Sequence, residues 1–184
     1  MKESVRLKAK AMKGINELLL KGEIVIFGST YMAGFPFYEL VNKCKFENAI
    51  YNRSIEGLTL AEAQELMQSC VIDIAPRKVF LALGEEDAED PEAVSRYSEI
   101  VKRLRQKLPS THLYLIGLAG EGSYADDFNH RIMALCDDEM ISYIQLICGV
   151  APEVALCKAR FKQLCCFFRR QPISLSEALS IAEL

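Results

Sequence analysis

Short apolar runs separated by longer amphipathic stretches constrain this chain more than any other feature. Glu23–Phe27, Lys78–Leu83 (KVFLAL), His112–Leu118 and Ile141–Leu146 each read as a brief strand, the first nearly unbroken in apolar character. That is the pattern of strands covered on both faces. A further strand is expected to end near Ile50-Tyr51. Strands spaced by crossover helices predict a mostly parallel sheet between two helical layers.

The intervening segments carry helix signals. Val5, Ala9, Met12, Ile15 and Leu19 recur at helical spacing among lysines, which predicts a leading amphipathic helix over residues 1–20. A brief helix is expected after Pro36. Thr59-Leu60-Ala61-Glu62 is a capping-box pattern, and Ala63, Leu66, Met67 and Cys70 share one face of the helix it opens. Asp90-Pro91 predicts the next helix start, with Asp90 as N-cap and Pro91 at the first helical position. Val94, Tyr97, Val101, Leu104 and Leu108 form its apolar stripe. A glycine-punctuated loop (Gly117, Gly120, Gly122) then leads to a helix around 124–136. Val154, Cys157, Phe161, Leu164, Cys165 and Phe168 keep helical period, and a last helix is expected from about Ser174.

Composition excludes several classes. The length of 184 residues with 51% hydrophobic content suits one domain spanning 1–184. A net charge of −3 supplies no global field for nucleic acid or anionic membrane. Met1–Lys13 is too charged for a signal peptide, and no apolar run approaches the roughly 20 residues of a membrane span. Seven cysteines form no CxxC pair, so reduced, buried thiols in a cytoplasmic protein are expected. Two distant histidines offer no metal-ligand spacing, and no cofactor loop is visible.

Residues 24–36, IVIFGSTYMAGFP, resemble the first block of the SGNH (GDSL-type) hydrolases, usually close to "FIGDSITEGFP". Gly28, Gly34, Phe35 and Pro36 fall in register. The resemblance runs from residue 24 to the end and is closest to the platelet-activating-factor-acetylhydrolase-like branch. It implies a flavodoxin-like three-layer α/β sandwich whose five-stranded parallel sheet has the order 2-1-3-4-5. It also implies a site at Ser29, Thr30, Gly57 and Glu86. On this register the family's Asp-Ser pair becomes Ser29-Thr30. Asn52–Thr59 matches "NRGISGDT", with Gly57 at the oxyanion-hole glycine. Leu83–Asp87 matches "LGTND", with Glu86 at the oxyanion asparagine. Phe168–Ser176 matches "YTTDGLHLS", with Gln171 replacing the triad aspartate and Ser174 the histidine. The family often dimerises, and the leading helix is a candidate contact surface.

These replacements remove the ordinary chemistry. A hydroxyl needs a base to take its proton during attack, and neither Gln171 nor Ser174 serves near neutrality. No histidine follows His130 and no aspartate follows Asp138. Glu86, when ionised, offers only acceptors where negative charge would develop, and loss of one oxyanion donor alone costs about 2.7–4 kcal/mol. The expectation is a fold that has lost esterase activity and binds a small ligand or a partner. The alternative is a diverged acylhydrolase in which Thr30 attacks small acyl esters.

Other candidates read more simply. Glu86 is either a base for Thr30 or one member of an exposed acidic loop with Glu85, Asp87, Glu89 and Asp90. His112 reads as structural and His130 as a solvated or capping residue. Cys165 falls on an apolar stripe, although Arg169 and Arg170 stand near it and Cys166. The basic stretch Lys158–Arg170 reads as the wet side of a helix or as an anion site.

Overall fold

The computed structural model describes residues 1–41, 48–120, 122–136, 139–147 and 153–169. Five strands form one parallel sheet in the order β2-β1-β3-β4-β5. They are β1 (Ile24–Gly28), β2 (Ile50–Asn52), β3 (Lys78–Ala82), β4 (His112–Ile116) and β5 (Ile141–Ile144). Ile24 pairs in register with Ile50 on one side and with Lys78 on the other. The chain therefore turns outward in opposite directions from β1, and the carboxyl ends of β1 and β3 flank the topological switch point. Open α/β sheets place their ligands there.

Alternation along the strands divides the core into two layers. Val25, Phe27, Val79, Leu81, Leu113 and Leu115 face one side. They pack under α1 (Glu3–Gly14), α4 (Leu60–Cys70), α5 (Ala93–Lys107) and α6 (Ser123–Met133). Ile24, Ile26, Phe80, Tyr114, Ile116 and Ile144 face the other. There they meet Met32 of α2 (Thr30–Ala33), Phe37 of α3 (Phe37–Val41), and Phe161 and Leu164 of α7 (Glu153–Cys165). Phe168 closes this second layer edge-on against Phe80, with ring centroids 5.0 Å apart. Fully burying each such side chain contributes about 1.5–3 kcal/mol. Among the described residues no helix is long and apolar enough to cross a membrane.

Two expectations shift. The leading helix ends at Gly14 rather than near residue 20, and a 3-10 turn (Asn16–Leu18) follows, so Ile15 lies 48% exposed. The helix expected at Asp90-Pro91 begins at Ala93. Asp90 spends its carboxylate on Glu92 N–H (2.9 Å) and Arg96 Nε (2.9 Å), forming a local turn instead of a helix cap. The last helix expected from Ser174 lies outside the described residues. The capping box of α4 is present: Thr59 Oγ1 accepts from Glu62 N, and the Glu62 carboxylate accepts from Thr59 N.

Candidate functional site

The site begins where β1 runs out. A Cβ on Gly28 would stand 2.8 Å from Ala82 O and 2.9 Å from Met32 Cβ, so only glycine lets β1, β3 and α2 approach so closely. Ser29 N then donates to Ala82 O, and Thr30 emerges exposed at the start of α2. From β2, Ile55 N donates to Gly28 O and carries the chain to Gly57, whose φ of +72° suits glycine.

Three of the four candidate binding residues meet here. Thr30 Oγ1 donates to Glu86 Oε1 at 2.5 Å and accepts from Gly57 N at 2.8 Å. Ser29 instead lies fully buried beneath the cluster, its hydroxyl approaching the Glu85 carboxyl without good hydrogen-bond geometry. Gln171 and Ser174 lie outside the described residues.

The acidic run after β3 is divided among separate tasks. Glu85 turns inward and accepts from Tyr31 N at 2.7 Å; burial pushes its carboxyl above the ordinary glutamate range. Glu86 is exposed and faces Thr30. Asp87 is buried and accepts from Leu60 N at 3.0 and 3.1 Å, which caps α4; its carboxyl is likewise raised by burial. Of the five acids expected in an exposed loop, Asp87 is therefore buried, and Glu85 and Asp90 are only partly exposed.

Neither histidine is hydrogen-bonded to Thr30. His112 pairs with Ser142 Oγ at 2.9 Å and stacks on Tyr114, while His130 is exposed on α6. Cys165 is buried and donates to Lys162 O. Among the described residues no group of three His, Cys, Asp or Glu side chains could hold a metal ion.

Beside the Thr30 cluster opens a cavity of about 600 Å³. Its wall takes Tyr31 and Glu85, the chain neighbours of Thr30 and Glu86, but not Thr30, Gly57 or Glu86. Ala82, Ile116, Leu118 and Leu146 supply apolar surface, and Gly122, Ser123 and Tyr124 bring the start of α6 to its edge. Arg160 also lines it, donating from Nη1 to Tyr31 Oη at 3.0 Å and from Nε to Ile147 O at 2.9 Å. Its guanidinium lies 5.1 Å from the Tyr31 ring centroid. Burial raises the Tyr31 phenol, and Arg160 partly offsets this.

Sequence reasoning missed Tyr31 and the inward turn of Arg160. The available signal was spacing: Arg160 stands three residues after Cys157 and four before Leu164, both on the apolar stripe of α7.

The fold has clear relatives among solved structures. A Streptococcus pneumonia protein provisionally described as a platelet activating factor aligns with a TM-score of 0.75 at 16% identity, over 90% of this chain and 93% of its own. A Bacteroides fragilis protein provisionally described as an acylhydrolase aligns with a TM-score of 0.64 at 16% identity, over 81% and 82%. A GDSL-like lipase from Bacteroides thetaiotaomicron gives a TM-score of 0.63 at 15% identity, over 77% and 80%. No family model and no curated protein matches the sequence. The chain thus has the SGNH/GDSL hydrolase fold, as its sequence blocks imply.

Proposed function

We propose that this chain is an SGNH-fold protein without esterase activity that binds a small ligand at the carboxyl edge of its sheet. The observation that carries this reading is the engagement of Thr30. Its hydroxyl donates a hydrogen bond to Glu86, while Gly57 N–H, the oxyanion donor implied by the resemblance, donates to the same hydroxyl oxygen. An acyl oxygen arriving here would face a carboxylate in place of a donor, and preorganised donors are commonly the largest catalytic contribution in acyl transfer. The sequence holds no histidine beyond His130 to serve as base. The adjacent cavity is within the size range of small-molecule sites, roughly 300–1,000 Å³. Five free cysteines among the described residues fit a reducing, cytoplasmic setting.

A second reading has one specific observation in its favour. The 2.5 Å contact puts a carboxylate within reach of the Thr30 proton, as a general base must be. In that case the chain is a diverged acylhydrolase, with Thr30 as nucleophile and Glu86 as base. Hydrolysis of short-chain p-nitrophenyl esters by wild type and Thr30→Ala separates the two. Turnover that vanishes in Thr30→Ala supports the acylhydrolase; no turnover, or a trace rate equal in both, supports the binding protein.

A further inference from the structure

The cavity combines two features that point to the charge of its occupant. The first is the start of α6. Its N-cap is Gly122, with no side chain to cap the helix, and the first bond of the ladder runs from Asp126 N to Gly122 O at 3.0 Å. The N–H groups of Ser123, Tyr124 and Ala125 precede that bond, and all three residues line the cavity. The helix dipole adds to the positive potential there.

The second feature is independent of the helix. Arg160 is only 7% exposed, yet among the described residues no carboxylate forms an ion pair with it. Its Nε and Nη1 hold Ile147 O and Tyr31 Oη, which fixes the guanidinium plane. Nη2 has no protein partner among the described residues. An anion in the cavity would pair with this charge.

We infer that the cavity binds the carboxylate of a small organic acid, held between Arg160 and the first turn of α6, with Ile116, Leu118 and Leu146 covering its apolar body. This rests on the binding-protein reading above and names its ligand class. A carboxylate fits better than a phosphate monoester for two reasons. Glu85 lies on the same wall and would repel a dianion more strongly than a monoanion. The apolar part of the wall also rewards a hydrocarbon body, at about 0.8 kcal/mol per buried CH₂.

Isothermal titration of octanoate, octanamide and inorganic phosphate tests this on wild type, Arg160→Gln and Ser123→Asp. Octanoate is expected to bind wild type at least about tenfold more tightly than octanamide or phosphate, as a charge-assisted contact requires. Arg160→Gln and Ser123→Asp are each expected to weaken octanoate by about tenfold or more. Arg160→Gln removes a buried side chain and can unfold the protein. Ser123→Asp cannot be dismissed in that way, because an acid in the first turn stabilises a helix while repelling the ligand.

Three results overturn the inference: no octanoate binding to wild type, equal affinity for octanamide or phosphate, or full affinity retained in Ser123→Asp. Ester turnover dependent on Thr30 would instead overturn the binding-protein reading. The two failures are therefore read on separate assays.

Discussion

Thr30 Oγ1 lies 2.5 Å from Glu86 Oε1, and this contact helps join the start of α2 to the loop after β3 across the switch point of the sheet. With Gly57 N–H on the same oxygen, the hydroxyl has one donor partner and one acceptor partner before any ligand arrives. Both hydrogen bonds hold neighbouring segments at this edge of the sheet together. Glu86→Gln preserves an acceptor for Thr30 at an exposed position. Its stability is expected to stay within about 0.5 kcal/mol of wild type by urea denaturation. p-Nitrophenyl acetate hydrolysis should remain at background in both proteins. A wild-type rate that collapses in Glu86→Gln would make the carboxylate a base and reverse the functional reading.

Glu85 has a different dependence on pH. Burial raises its carboxyl in the folded state, with the Tyr31 N–H bond only partly offsetting that. The folded chain then binds this proton more tightly than the unfolded chain. Stability is lost as pH rises from the unfolded carboxylate range through the folded pKa. Glu85→Gln removes that loss while keeping an acceptor for Tyr31 N. The variant is expected to have a higher urea midpoint than wild type at about pH 7, with the gain shrinking toward about pH 4. A gain independent of pH would contradict this assignment.

The strands and the capping box were legible because each rests on local signals: apolar runs, helical period, and Thr59 three residues before Glu62; the strand order came only through the resemblance of the motif blocks. Asp90-Pro91 misled because an aspartate satisfies a turn as readily as a helix cap, and here Arg96 draws its carboxylate aside. Glu85 and Glu86 could not be told apart from sequence. Gly84 has φ of +110°, and the irregular backbone after it sends two consecutive glutamates in different directions. Arg160 was obscured by its neighbours, since a basic stretch reads as solvated until Tyr31, 129 residues away in sequence, gives one arginine a partner inside.

Gly28 is expected to tolerate nothing larger. Its missing Cβ would meet backbone at Ala82 O, which cannot rotate away as a side-chain tip can. Gly28→Ala must spread β1 from β3 or displace α2, at about 1–3 kcal/mol, the usual cost of overpacking a tight core. Because α2 carries Tyr31, the same shift should disturb the cavity wall. Denaturant unfolding gives the stability change. Near-wild-type stability would mean that the β1–β3 approach is looser than the geometry indicates.

Asp87 is expected to matter for folding and not for ligand. Its carboxylate is 5% exposed and accepts from Leu60 N through both oxygens, at 3.0 and 3.1 Å, so it caps α4 from a distant loop. Asp87→Ala leaves a buried N–H without an acceptor, at a cost of about 1–3 kcal/mol. Asp87→Asn keeps one acceptor for Leu60 N and removes a carboxylate whose pKa burial raises, so it should recover most of that loss near neutral pH. Urea denaturation of the two variants orders them: alanine well below wild type, asparagine close to it. Equal losses would show that the charge itself, rather than the hydrogen bond, holds α4. If octanoate binds wild type, its affinity should be unchanged in Asp87→Asn, because Asp87 is not on the cavity wall.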